Sequence, residues 1–183
     1  MCMIHVMFSM STHVSEHALC FYSHNRKDGI DVHDTLLLLW RQWCSRSART
    51  NHTNGGLFAA TNAEFALLGH LIRNLSMANK TRFMAHPTLL EEMLESVLRE
   101  DQPIVVACAA SILWSVSFNY KKIIPRMKRC NAELVFQRGL NILSHTDSPR
   151  SHTDSMIANA VQGLVRLSEW CKKTPNKAMQ DSP

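Results

Sequence analysis

The sequence predicts an all-α chain of stacked helical repeats, an α-solenoid, and three observations carry that prediction. Residues 61–84 (TNAEFALLGHLIRNLSMANKTRFM) read as a long apolar helix, a sharp break and a short second helix. Residues 106–125 (VACAASILWSVSFNYKKIIP) follow the same pattern without a gap: Ile72 falls on Leu113, Leu75 on Val116, Ser76 on Ser117, Lys80 on Lys121 and Phe83 on Ile124. The offset of about 41 residues is a period at which helical units stack on one another. Between the two copies, Leu90, Met93, Leu94, Val97 and Leu98 recur at the spacing of an amphipathic helix.

Composition bounds the remaining possibilities. A chain of 183 residues is long enough for one domain that buries roughly 70% of its unfolded surface. A 45% hydrophobic share against 19% charged residues argues against wholesale disorder. Twenty Lys and Arg against fifteen Asp and Glu give a formal charge of +5, which favours acidic surfaces without the basic stripe of a dedicated nucleic-acid binder. Six scattered cysteines with no CxxC pair point to a reducing, intracellular setting. The start lacks a basic leader and a cleavage site, and the apolar run at 36–40 falls far short of the ~20 residues that span a bilayer. The expectation is a soluble chain without membrane contact.

Taken in order, residues 1–30 show no clean period and are expected to be poorly ordered or weakly helical, the awkward start suggesting a fragment or isoform of a longer protein. Residues 31–60 hold a helix capped by Asp34 and running to Cys44, then a polar linker whose residues 45–56 read SRSARTNHTNGG. The four leucines and two tryptophans of that helix need a covering neighbour. Residues 61–171 form the repeat region. Thr61 and Glu64 make a capping box, and Phe65, Leu68, Ile72 and Leu75 form one face that Leu67 and Leu71 widen. Gly69 costs ~1 kcal/mol against alanine in mid-helix, which a close helix crossing would justify. A short helix at 79–86 stops at Pro87, and the amphipathic helix 87–99 keeps Glu91, Glu92 and Glu95 in water with a Glu95–Arg99 pair. Asp101 is the expected cap of the next helix, with Pro103 in its first turn.

Residues 104–118 are apolar nearly all round, so this helix should be central, with Ala107, Cys108, Ala109, Ala110 and Ser111 small enough for close neighbours. A short helix at 120–127 is bent or ended by Pro125. Asn131 caps residues 132–143, whose inner face is Val135, Phe136, Leu140 and Leu143, and Asp154 or Ser155 caps residues 156–170. SHTDS occurs at 144–148 and again at 151–155, which reads as an expanded surface loop over 144–155. Residues 172–183 form a polar tail, expected to be disordered.

Catalytic chemistry finds little footing. Ser, His, Thr and Asp side by side in the SHTDS loop cannot converge as a triad, and Cys44 with His52 lacks a positioning context. No P-loop, dinucleotide fingerprint or HExxH motif is present. The expectation is a non-enzyme without cofactor. His13, His17, Cys20 and His24, at spacings of four, three and four, are weak candidates for a structural zinc site, and surface or packing roles are the simpler reading. Lys121, Lys122, Arg126, Lys128 and Arg129 form the densest basic run. A solvated edge is the first reading, an acidic protein partner the second, and nucleic acid the last, since Tyr120 alone is near for base stacking. Trp114 and Phe118 are expected in the core, while Trp170 either covers the end of the array or belongs to a docking face. Ser148-Pro and Ser182-Pro are weak proline-directed phosphorylation motifs.

The pair LIRNLSMANKTRFM and ILWSVSFNYKKIIP resembles the core of armadillo and HEAT-like repeats. Residues 65–127, with ALLGHLIRNLSMANKTRFMAHPTLLEEML and CAASILWSVSFNYKKIIPRMK, are similar to the C-terminal armadillo-like region of the rotatin family of centriole and cilium-base proteins. The likeness extends over about residues 35–170 and fades at the SHTDS loop. It implies an armadillo-like array of about two and a half repeats that binds other proteins, with a role in centriole assembly and duplication and in cilium formation. It further implies cytoplasmic and cytoskeletal placement at the centrosome and cilium basal body, with centriolar components as partners. The resemblance supplies no catalytic residues. Neither nucleic acid nor membrane is expected as a partner, and exposed end helices favour self-association. The rival readings are an armadillo-type adaptor for acidic peptides in transport or degradation and, more remotely, a metal-dependent enzyme using the N-terminal His/Cys cluster.

Overall fold

The computed structural model describes residues 32–50, 62–78, 80–81, 86, 88–118, 120–145 and 152–174, and its contacts divide the chain into two units, Met1–Leu89 and Leu90–Pro183. The described secondary structure is all helical, with no strand among the described residues.

In the first unit, α1 (Val32–Thr50) lies against α2 (Asn62–Ala78). Leu36, Leu37, Trp40 and Cys44 are buried along one stripe of α1, while Leu38 is left outside at 54% exposure. The covering neighbour that α1 requires is Phe65, against which Trp40 and Trp43 both stand edge-on at 6.0 and 5.6 Å. Aromatic pairs of this geometry contribute about 0.5–1.5 kcal/mol beyond burial. From α2, Phe65, Leu68, Leu71, Ile72, Leu75 and Ser76 are buried, Gly69 with them.

Two expectations for α1 need correction. Asp34 is not its cap, because the helix starts at Val32 and places Asp34 in the first turn. The supposed linker is helical through Thr50, since residues 45–50 contain no glycine or proline and include arginine and alanine, good helix formers.

Asp34 instead receives a hydrogen bond of 2.9 Å from Nε2 of the buried His86. The other ring nitrogen, Nδ1, accepts the backbone N–H groups of Thr88 (3.3 Å) and Leu89 (3.0 Å). Backbone amides only donate, so Nδ1 must be the bare nitrogen and Nε2 must carry the proton. His86 therefore satisfies amides at the start of α3 (Leu89–Arg99), the work usually done by a Ser, Asn or Asp cap.

The second unit takes up α3 from Leu90 and adds α4 (Pro103–Ser117), a 3₁₀ turn (Lys121–Ile123), α5 (Ile124–Arg129), α6 (Ala132–Ser144) and α7 (His152–Lys173). Helix α4 packs on both α6 and α7, which also pack on each other. As its all-round apolar sequence requires, residues 104–110 are fully buried together with Ile112, Leu113 and Ser115–Ser117. Its N-cap is Gln102 in extended conformation with Pro103 at the first turn, and the Gln102 carbonyl accepts Val105 and Val106 N–H. Asp101 is not the cap, being drawn to Arg138 at 2.8 Å. Glu95 and Arg99 form the expected i,i+4 pair at 2.6 Å.

Pro125 starts a helix rather than ending one. It lies in the first turn of α5, where its missing N–H would have no intrahelical partner. Asn131 precedes α6 but makes no side-chain cap; its φ of 54° and ψ of 39° are left-handed. Its N–H closes on the Lys128 carbonyl, and its own carbonyl accepts Leu134 and Val135 N–H. One left-handed residue thus ends α5 and begins α6, and Asn tolerates that geometry better than most side chains.

Val135, Phe136 and Leu143 are buried as expected, and Leu140 is half-buried. The close crossings fall at two glycines. A Cβ on Gly139 would lie 2.8 Å from Val97 Cγ1 and 2.9 Å from Leu164 Cδ1, and one on Gly163 would lie 2.8 Å from Trp114 Cβ. Helix α7 begins at His152, so most of the second SHTDS copy, Asp154 and Ser155 included, is its first turn rather than loop or cap, and residues 146–151 of the expected loop lie outside the described residues. The expected tail is likewise helical at Lys172 and Lys173.

Candidate protein-docking face

Three aromatic side chains meet on the second unit. Gly163, Arg166 and Trp170 recur at helical spacing on α7, and that stripe faces Trp114 of α4. The Trp114 and Trp170 rings lie 5.1 Å apart with a 39° tilt. Phe118, one turn beyond Trp114, stands edge-on to it at 5.6 Å. The Arg166 guanidinium sits over the Trp114 ring, 5.7 Å from its centroid. Gly163 lets the α7 backbone come close enough to Trp114 for the ladder to form. Trp170 is partly exposed, and of the two rings expected in the core Trp114 is partly exposed and Phe118 is 46% exposed. The cause is the break after Ser117, where α4 ends and Phe118 turns outward as its C-cap.

The basic run separates into two groups. Arg126 makes a two-armed contact with Glu91, Nε to Oε1 at 2.8 Å and an Nη to Oε2 at 2.7 Å, tying α5 to α3. Lys128 donates to the Thr174 carbonyl at 2.6 Å, placing a cation at the C-terminal end of α7, where the helix dipole favours it. Lys122 and Arg129 are exposed, with no carboxylate in ion-pair range among the described residues. Lys121 belongs to the 3₁₀ turn, and its side chain lies outside the described residues. His13, His17, Cys20 and His24 also lie outside them, and no cluster of three metal-ligating side chains occurs among the described residues.

The thiols of this unit are in settings that suppress thiolate. Burial pushes Cys108 up to about 12, and its sulfur lies 3.9 Å from Met156 Sδ, consistent with its expected part as a small hydrophobe. Cys171 is pushed up to about 11, first by burial and then by Glu133, against the opposing pull of Lys128. Cys130 is raised, chiefly by burial. A surface depression of about 510 Å³ beside α6 is lined by Lys128, Glu133, two amides and apolar groups, a set that brings no nucleophile and base together. Among the described residues no helix is long and apolar enough to cross a membrane.

Arg166 is the residue of this face least visible in sequence. Its signal, a cation four residues before Trp170 and three after Gly163, acquires meaning only once α4 lies alongside. Compared with known proteins, the chain matches no family model, no curated protein and no solved structure.

Proposed function

We propose that this chain is a non-catalytic, protein-binding scaffold built from armadillo-like helical repeats, similar to the C-terminal region of rotatin and acting in centriole assembly and cilium formation. The observation that carries the binding role is the exposed aromatic ladder of Trp114, Phe118 and Trp170 on a unit whose other large side chains are mostly buried. Partly exposed aromatics beside arginine are enriched where proteins anchor one another.

Matched positions support the repeat reading. Phe65 and Val106, Leu68 and Ala109, Leu71 and Ile112, Ile72 and Leu113, Leu75 and Val116, and Ser76 and Ser117 are buried in pairs. The copies differ at the serines: Ser117 Oγ donates to the Leu113 carbonyl at 2.8 Å, whereas Ser76 Oγ has no hydrogen-bond partner among the described residues. The centriolar role rests on the sequence resemblance alone.

Imaging of the tagged chain in dividing ciliated cells beside a centriole marker tests this function. Discrete overlap at centrioles or ciliary bases, lost on Phe118→Ser, is the expected result. Diffuse signal from both this chain and a longer native form would remove the centriolar role.

A further inference from the structure

We infer that the ladder of Trp114, Phe118 and Trp170 with Arg166 docks an acidic peptide segment carrying one apolar anchor residue; this deepens the scaffold reading and rests on it. Arg166 is exposed and lies over the Trp114 ring, with no carboxylate in ion-pair range among the described residues. A guanidinium over a ring keeps its N–H donors, whose fork fits a carboxylate. Charge around the ladder is mixed on α7, where the exposed Glu169 adjoins Trp170, and cationic over the segment that follows α4. Residues 118–129 contain five cations and no acid, and although Arg126 and Lys128 are engaged internally, Lys122 and Arg129 remain exposed.

Phe118 supplies the apolar half of the site, since nearly half its surface is open one turn from the Arg166–Trp114 pair. A peptide that puts an aliphatic or aromatic side chain on Phe118 and an acid on Arg166 matches both halves. A second copy of this unit has Glu91, Glu95 and Asp101 paired with Arg126, Arg99 and Arg138 and keeps Glu133 and Glu169 among its exposed acids, so the dimerisation arm of the test separates it from a peptide. A nucleic-acid strand would stack a base on Phe118, but its phosphates draw their binding strength from many free cations, and this face offers few.

The test is selection of a display library of random decapeptides on the full 183-residue chain, with selected peptides remeasured by fluorescence anisotropy. Enriched peptides should carry acids next to an apolar residue. Binding should weaken about tenfold with Arg166→Gln or Phe118→Ser, the scale of an interface anchor, and should fall with added salt. Leu134→Ser, at an exposed apolar position on α6 outside the ladder, should leave it unchanged. Circular dichroism of each variant confirms the fold.

No enrichment, enrichment of neutral or basic peptides, or binding that survives both ladder variants would overturn the inference. Concentration-dependent dimerisation through the ladder would assign it to a second copy instead. The two readings separate cleanly. Centriolar localisation without acidic enrichment removes only the partner chemistry, while ladder-dependent acidic enrichment with diffuse localisation removes only the centriolar role.

Discussion

At the scale of single residues, the chain's chemistry lies in side chains set to unusual tasks. Asn131 is the described non-glycine residue with positive φ, and it joins two helices through its backbone alone. Asn131→Ala should therefore cost about 1 kcal/mol by forcing a Cβ-bearing side chain without Asn's tolerance into that region, whereas Asn131→Gly should be close to neutral. Urea unfolding midpoints of the two variants check this, and equal losses would show that the amide side chain matters instead. Cys108 gives a pH prediction. Its thiol is raised from an ordinary value of 9.0 to about 12 because burial penalises the thiolate. The unfolded chain gives up that proton first, so the contribution is fully present below pH 9 and is lost as pH rises toward 12. Stability of the parent chain should fall across that window, and the fall should be shallower in Cys108→Ala. Parallel curves for the two proteins would mean that the thiol is not protected by burial.

At the scale of elements, apolar periodicity made the helices legible and said little about their ends. The 3.6-residue stripe of 90–98 and the all-round apolarity of 104–118 follow from what a helix must bury, so α3 and α4 could be read directly. Caps were read less well because their partners come from elsewhere in the chain: Asp101 goes to Arg138, Asp34 goes to His86, and Gln102 is left to start α4. The candidate docking face was half legible. Trp170 stood out, but Phe118 was expected inside, since periodicity does not reveal that α4 stops one residue before it. His86 left no local signal, as histidine is not among the usual caps. Its task gives a sharp expectation for α3. His86→Ala should lower stability by roughly 1–2 kcal/mol, since the Thr88 and Leu89 amides lose their acceptor. His86→Asn, whose side-chain oxygen can accept the same donors, should recover part of that loss. Thermal melts of both variants decide the matter; equal destabilisation would assign the effect to lost packing.

At the scale of the whole molecule, the count of twenty Lys and Arg overstates how much positive surface is available to a partner. Arg126 is held by Glu91, Arg138 by Asp101 and the Leu98 carbonyl, Arg99 by Glu95, and Lys128 by the end of α7. Phosphate binding gains its strength from many cations that each displace a counterion, so a chain with several of its basic groups engaged this way should bind nucleic acid weakly. The aromatic ladder points the same way. Trp114 is already stacked with Trp170 and covered by Arg166, which leaves its ring poorly placed to receive a base. A labelled single strand and a labelled duplex of about 20 nucleotides should show no saturable binding at 150 mM salt, roughly physiological ionic strength. Saturable binding that steepens as salt is lowered and disappears with Lys122→Gln and Arg129→Gln together would move the basic edge from protein recognition to nucleic acid. Retention of acidic-peptide binding in that double variant would still assign the ladder to protein, because Arg166 and Phe118 lie outside the altered edge.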